Sequence, residues 1–560
     1  MTTTTSAQAA PLEAHHRVHR ETMTRREVLE ALSGILLGML VAVLAESVLS
    51  TSLPRIITDL RGSQSSFTWV VTATLLTTTI TTPIWGKLAD LVDRKLLIQL
   101  ALSITVVSSA LAGLSQNVGE LIGWRAVQGI GAGGLTALAT VLMADIISPR
   151  ERGRYMGLLG GIMGLGMVGG PLLGGVITDS LSWRWNFFIG LPFAIGAIVV
   201  LQRTLHLPKS RKERVSIDYL GALTLSVGVA LLLLWVTFAD SSFAWVSWQS
   251  GLMLGASVAL LAATVWIENH VAEPIIPMRL FRNRTFVLAV IASVSVGVAL
   301  FGTQVFLSQY MQLARGRTPT ESGLLTIPMI VGVFLSSTIS GRIITQTGRY
   351  KRFMLAGGVI MSAGLGLMGT IDYHTSFVLV SAWMLILGAG VGMLMQNLVL
   401  AVQNTLDVRE IGAGTSAVAF FRTLGGAIGV SVLGAVLSHR VSGLMVKGLA
   451  AIGIDPAALG GSGSSSLPNL ATLPAPVRDV VEKAFGDGVS ELFLIGTPLA
   501  VVALLTVFFL REVPLGQRSG IEQRMELEDE ADEILAPLVE DALAELEAGE
   551  HDEAGATTAH

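Results

Sequence analysis

Three ionisable residues stand inside stretches otherwise apolar enough to lie in lipid: Glu46 in "VAVLAESVLSTSLP", Arg125 in "LIGWRAVQGIGAGGLTALATVLMADI" and Arg422 in "AFFRTLGGAIGVSVLG". A charge near the centre of a bilayer-crossing helix costs about 2.5–3.5 kcal/mol on insertion scales. Arg does not shed its proton to escape that cost, so Arg125 and Arg422 each require a wet cavity or a partner. A carboxylate has another way out, because burial drives it to take up a proton and a nearby Arg drives the proton off. Glu46 is the only carboxylate deep in such a stretch. It lies seven residues before Leu53, and Arg125 lies six after Gly119. At 1.5 Å per residue, both sit about 10 Å below the surface at which these two stretches end. Glu46 and Arg125 are therefore expected to line one cavity and to sense each other's charge. Proton uptake and release at Glu46 would then follow a movement of Arg125 or the arrival of a cation. A static pair that only fixes packing would use the same two residues. Gln128, Gly129 and Gly133 share a helical face with Arg125, setting a polar pair beside a strip of small residues. Arg422 would line a central cavity or neutralise a local acid. Gln304, Gln309, Gln396 and Asn397 are polar within apolar stretches and either line a cavity or hydrogen-bond between helices.

The elements that must position these groups follow from composition. The chain has 560 residues, 51% of them hydrophobic and 14% charged, with a mean hydropathy of +0.65. Soluble domains carry about 25% charged residues, and the apolar runs here recur along nearly the whole length. The 61 glycines suit helices packed closely in lipid. There is no Cys, which excludes disulfides and thiolate metal sites. Residues 521–560 hold fourteen acidic side chains and one Arg, leaving 36 basic and 27 acidic residues in the remainder. The body is basic and the tail acidic.

A crossing helix needs roughly 20 apolar residues. That measure predicts fourteen spans: 31–53, 68–86, 96–115, 119–145, 154–178, 186–203, 218–239, 251–268, 286–310, 322–341, 353–371, 377–402, 413–438 and 491–511. No alternating strand pattern supports an outer-membrane barrel. An even number of crossings puts both termini on one side. The tails and the loops beginning near 86, 146, 203, 268, 341 and 403 hold 26 of the 37 Lys and Arg, so both termini are expected in the cytoplasm. "MTRREVLEALSG" superficially resembles a twin-arginine signal. The apolar run after it is too long and lacks a cleavage site, so it reads as a cytoplasmic lead-in. Trp69 and Trp245, near span ends, read as interfacial anchors.

"GKLADLVDRKLL" after the second span and "GRIITQTGRYKRF" after the tenth both begin with Gly and place a basic cluster eight to ten residues on. Spans 1–6 and 9–14 are then two equivalent halves, with spans 7 and 8 inserted between them, an arrangement associated with alternating access. The expected organisation is all-α and membrane-integral. Residues 1–30 form a cytoplasmic tail, 31–203 a six-helix bundle, and 204–285 a linker with two inserted transmembrane helices. Residues 286–511 form a second six-helix bundle carrying an external loop over 440–490, and 512–560 an acidic cytoplasmic tail.

Three motifs then coincide with their spans. "GKLADLVDRK" is similar to the loop 2–3 motif of the major facilitator superfamily through Gly86, Asp90, Arg94 and Lys95, departing at Leu91 and at Asp93, where the family usually has Gly. "RAVQGIGAGG" resembles its fourth-span motif through Arg125, Gln128, Gly129 and Gly133. "GMVGGPLLGG" resembles its fifth-span antiporter motif through Gly166, Gly170, Pro171, Gly174 and Gly175. "WRWNFFIGLP" and "PMRLFRNRTF" also look like the fourteen-span drug:proton antiporter branch, over about residues 30–512. The resemblance implies a secondary exporter of amphipathic, often cationic, drugs in exchange for protons. Glu46 would carry the proton, and Asp90, with its loop, would act as a conformational latch that steadies the outward-facing state. The fifth-span glycines around Pro171 would let that helix bend and slide at the contact between halves.

Other function classes fit poorly. No GxxxxGK[ST] stretch supports an ATP-driven pump, and one deep carboxylate without a span-core His does not make a membrane enzyme. An uptake symporter, or an exporter of one endogenous metabolite, lipid or siderophore, are the alternatives within transport. No cofactor, metal or nucleic-acid partner is expected; His15, His16 and His19 cluster in a tail. The partners are the lipid bilayer, protons and a small amphipathic substrate, with the chain acting as a monomer in the cytoplasmic membrane.

Overall fold

The structure, a computed structural model, describes residues 25–60, 64–204, 218–239, 243–271, 273–317, 319–408, 410–454 and 474–516, together with 522, 523, 526 and 535. The amino-terminal tail and most of the acidic tail thus lie outside the described residues. Sixteen α-helices follow in order: α1 Arg25–Asp59, α2 Gln64–Leu91, α3 Arg94–Gly113, α4 Val118–Ile146, α5 Pro149–Ser180, α6 Trp185–Phe188, α7 Gly190–Thr204 and α8 Tyr219–Phe238. The others are α9 Trp248–Glu268, α10 Arg284–Gln309, α11 Pro319–Leu325, α12 Ile327–Thr347, α13 Lys351–Met368, α14 Phe377–Gln403, α15 Ile411–Ala451 and α16 Ala475–Phe509. A π-helical turn, Tyr310–Ala314, continues α10. Among the described residues there is no β-strand beyond an isolated bridge. Among the described residues, ten helical stretches are long and apolar enough to cross a membrane, several of them running through a short break such as that between α6 and α7.

Two bundles result. In the first, α4 packs between α2 and α3, and α1 packs against α5 and α7; in the second, α10 packs on α15 and α16, and α14 on α12 and α13. The bundles meet along α2 with α15 and along α5 with α12. Helices α8 and α9 pair with each other, and α8 touches both α2 and α15.

The α2–α4 seam shows how the sequence dictates packing. "TATLLTTTITTP" sets Thr on one side of α2, and the α4 glycines let that side come within backbone reach. Thr74 Oγ1 donates to the Arg125 carbonyl and Thr78 Oγ1 to that of Gly129, each at 3.1 Å, while Trp85 Nε1 donates to Ile130 O at 2.9 Å. A Cβ on Gly129 would collide with Thr77 Oγ1 and the Thr74 carbonyl, and one on Gly133 would lie 2.6 Å from Thr81 Oγ1 and 2.8 Å from the Thr78 carbonyl. Overfilling a packed contact costs about 1–3 kcal/mol, with more where backbone must move. Gly129→Val is therefore expected to lower the melting temperature of the detergent-purified protein by several degrees, read by scanning fluorimetry.

Two expected boundaries shift. Helix α1 does not stop at Leu53: Leu53, Ile56 and Ile57 are buried against Val70, Leu121 and Trp183, and this apolar cap carries the helix on to Asp59. Glu46 is consequently thirteen residues from the end of its helix and Arg125 seven from the start of α4, so the equal depths expected from the sequence do not hold relative to the helix ends. The stretch 440–490 is not one long loop. α15 runs through its first part and α16 through its last, because Val441, Leu449, Val477 and Val481 bury apolar faces; residues 455–473 between them lie outside the described residues.

Candidate functional site

At the end of the bundles where α2 turns into α3, four helices converge on a charge network. Gly412 N donates to Asp90 Oδ1 at 3.1 Å and Ala413 N to Asp90 Oδ2 at 2.9 Å, so the carboxylate caps the first turn of α15 from the other half of the molecule. Free N–H groups and the helix dipole both favour an anion there. Arg94 Nη1 pairs with Asp145 Oδ2 at 2.5 Å, and Arg94 Nη2 lies 3.7 Å from Asp90 Oδ1. Gly86 is what allows the approach: a Cβ on it would overlap the Ser416 side chain and come within 2.8 Å of the Gly412 carbonyl.

Lys95 stands apart from this network. Its Nζ donates to Gln202 O at 2.9 Å, within its own half. Asp93, the departure from the family pattern, has φ −55° and accepts the Lys95 amide on Oδ1 at 2.8 Å as the cap of α3. The turn therefore has no need of the left-handed backbone that Gly would supply. In the second-half copy the matching residue is Gly348, with φ +70°.

Two members of the network were not singled out in the sequence. Asp145 is completely buried in the last turn of α4, so Glu46 is not the only acid that these helices carry away from water-facing loops. It is the last residue of the expected span 119–145, where the sequence alone does not separate a buried acid from a loop-side one. Arg152, also completely buried, donates from Nε to Ile147 O at 2.9 Å, from Nη2 to Ala144 O at 2.5 Å and from Nη1 to Gln403 Oε1 at 3.1 Å. Gln403 Nε2 in turn donates to Thr415 Oγ1 at 3.1 Å, tying α4, α5, α14 and α15 together. Nothing in "SPRERGR" distinguishes Arg152 from its neighbouring arginines. Around this centre Lys87 pairs with Glu273 at 2.6 Å, and Arg279 pairs with Glu410.

Deeper in the first bundle, Arg125 is 4% exposed, and its Nη1 donates to Gln128 Oε1 at 2.5 Å. Arg125 Nε and Gln128 Nε2 have no hydrogen-bond partner. Glu46 is exposed, although it lies in the middle of α1. Its carboxylate and Arg125 act on each other electrostatically, and among the described residues no contact ion pair joins them.

The fifth-span glycines sit differently from expectation. Gly166, Gly170 and Gly174 face α1 in their own half. Ser47 Oγ donates to the Gly166 carbonyl at 2.7 Å, a Cβ on Gly170 would collide with Ser47, and Ser52 Oγ donates to the Gly174 carbonyl at 3.3 Å. Their packing therefore bears on the residue beside Glu46. The contact between halves is made by Gly161 and Gly164 on α5, against Phe334 and Ile330 of α12. The three motif glycines recur every fourth residue and so follow one face of α5, which α1 occupies. Pro171 and Gly175 lie in the same helix, outside the positions whose side chains are described.

Between the halves lies a cavity of about 80 Å³ lined by Met163 and Gly164 of α5, Gln304 of α10, Met329 and Ile330 of α12 and Met395 of α14. Drug-sized pockets hold about 300–1,000 Å³, so this space is closed down to a few water molecules. Thioether side chains adapt readily to differently shaped apolar guests. Gln304 is exposed towards it. Gln309 precedes the π-helical turn, Gln396 is buried in α14, and Asn397 Nδ2 donates to Met393 O of its own helix at 2.7 Å. Arg422 is buried on α15.

Comparison with known proteins agrees with this architecture. Residues 35–430 match the Major Facilitator Superfamily. An uncharacterized MFS-type transporter of Mycobacterium tuberculosis is 36% identical over 507 residues, covering 90% of this chain and 71% of that protein. Multidrug transporter protein MdtP of Bacillus subtilis is 35% identical over 75% of this chain and 77% of its own, and multidrug resistance protein 3 of the same organism is 31% identical over 85% and 94%. Among solved structures, a proton:xylose symporter superposes with a TM-score of 0.59 over 89% of this chain and 99% of its own, at 15% identity, a likeness of fold. A family match over residues 35–430 and relatives alike along most of its length establish that the chain belongs to the major facilitator superfamily, a family of multi-pass membrane transporters and not of enzymes.

Proposed function

We propose that the chain exports amphipathic small molecules across the cytoplasmic membrane in exchange for protons, by alternating access between its two halves. It crosses fourteen times, as two six-helix bundles with α8 and α9 inserted, and both termini are cytoplasmic. The latch end is then the cytoplasmic end, and the state described here is closed towards the cytoplasm.

One observation carries the reading. Glu46 is an accessible carboxylate at mid-helix, held within electrostatic range of Arg125 but outside contact with it. A carboxylate so placed binds a proton when access from outside is open, and releases it when the Arg closes in. The Met-lined space between the halves suits apolar guests, and the names of the two Bacillus subtilis relatives point to drugs. A membrane potential of about 100 mV with one pH unit supplies roughly 3.7 kcal/mol per proton, near a 500-fold gradient of a neutral solute.

The test is transport in proteoliposomes under an imposed pH gradient, screened across dyes and antibiotics. Accumulation of at least one amphipathic compound that vanishes on adding a protonophore is the expected result. Accumulation that survives the protonophore, or absence of transport for every compound, overturns the reading.

A further inference from the structure

The four well-buried arginines of the described core differ in one respect. Arg94 has Asp145 and Asp90, Arg152 has two carbonyls and Gln403, and Arg125 has Gln128 with Glu46 in range. Arg422 is 9% exposed, its Nη1 is buried, and among the described residues that nitrogen has no hydrogen-bond partner and no carboxylate acts on the guanidinium. Among the described residues there is thus no acid for it to neutralise.

We propose that Arg422 is the binding point for an anionic group, a carboxylate or sulfonate, carried by the exported molecule. The inference rests on the export reading above and names the chemistry of its cargo. A guanidinium keeps its proton in any protein environment, and a buried charge is retained only where something compensates it. Its planar fork matches a carboxylate or sulfonate with two parallel hydrogen bonds.

The position is also rigid. The Arg422 carbonyl fills the place a Cβ on Gly297 would take, and Gly425 and Gly426 press against Val294 and Phe301 of α10. The backbone under Arg422 is thus clamped to α10 over successive turns. Seven residues further along α10, about 10 Å by helical rise, Gln304 lines the Met-lined cavity. An amphipath with an apolar body in that cavity and an acidic group about 10 Å away spans the two features. The charge balance points the same way. Away from the ends of the spans expected from the sequence, the charges are Arg125, Arg422 and Glu46, so the interior of those spans is net positive whether or not Glu46 holds a proton. Such a field attracts anions and disfavours permanent cations, in contrast to the cationic cargo that the family resemblance implies.

Fluorescein and rhodamine 6G share a xanthene body and differ in charge, which makes them suitable probes. Equilibrium dialysis against the purified full-length protein is expected to show fluorescein binding more tightly than rhodamine 6G. R422Q is expected to lower the fluorescein-to-rhodamine binding ratio at least tenfold, and R422K to restore much of it. The same change in ratio is expected for gradient-driven uptake into proteoliposomes. Parental protein that fails to bind fluorescein, or R422Q protein that keeps the parental ratio, overturns the inference. Because dialysis needs no gradient, the export reading fails separately, when neither dye nor any other compound moves in response to pH while binding persists. Matching melting curves of the parent and R422K confirm that the comparison is made on folded protein.

Discussion

On the proposed export reading, replacing Glu46 with Gln is expected to abolish gradient-driven accumulation, while exchange of cargo down its own gradient continues. Gln keeps the shape and polarity of Glu but takes up no proton at physiological pH, so the pH gradient is no longer coupled to the conformational cycle. The carboxylate is accessible and lacks a contact ion pair among the described residues, so its removal leaves no strongly paired cation abandoned, and the variant should fold. Counterflow of labelled substrate between equal pools, measured beside uptake under an imposed gradient, separates the two activities. E46Q protein that still concentrates its cargo would remove Glu46 from the coupling step.

Replacing Asp90 with Ala is expected to open the contact between the halves that the proposed latch makes. The change deletes the acceptor for Gly412 N and Ala413 N and the neighbour of Arg94. Hydrogen bonds to a charged group contribute about 1.5–3 kcal/mol each. Losing two of them shifts the balance by about 3–6 kcal/mol towards the state open at this end, a 100-fold or larger change in population. Both arms of the cycle are needed, so export should fall at least tenfold. The chain has no Cys, which allows a clean labelling test with a single cysteine placed at Ser416. In the parent that position is buried against Gly86 and should be protected. With Asp90→Ala it should react with a water-soluble maleimide, and unchanged protection together with normal export would disprove the latch.

The latch was partly legible beforehand. Gly86, Asp90 and Arg94 follow a recognisable spacing, and a carboxylate one turn past a span end has few uses other than an ion pair or a helix terminus. Its partners were not legible. Asp90 and Gly412 are 322 residues apart, and backbone amides carry no residue-specific signal. Asp145 and Arg152 looked like ordinary charges at a membrane edge until burial distinguished them. The fifth-span glycines were recognised as a packing strip, but a one-dimensional period cannot say which neighbour the strip meets. Gly161 and Gly164, five and two residues before Gly166 on another face of the same helix, touch the other half.

By itself the sequence determined that this chain is a bundle of membrane helices, since apolar runs of about twenty residues are stable in lipid only when their backbone groups bond internally. It also determined where the charges that lipid penalises are located along the chain. The tertiary structure alone decided which of those charges are compensated. Among the described residues, Arg94 and Arg152 are paired, Glu46 and Arg125 are in range but apart, and Arg422 has no counter-charge. The reason is that the cost of a buried charge belongs to the residue, whereas its compensation belongs to helices brought together from distant parts of the chain.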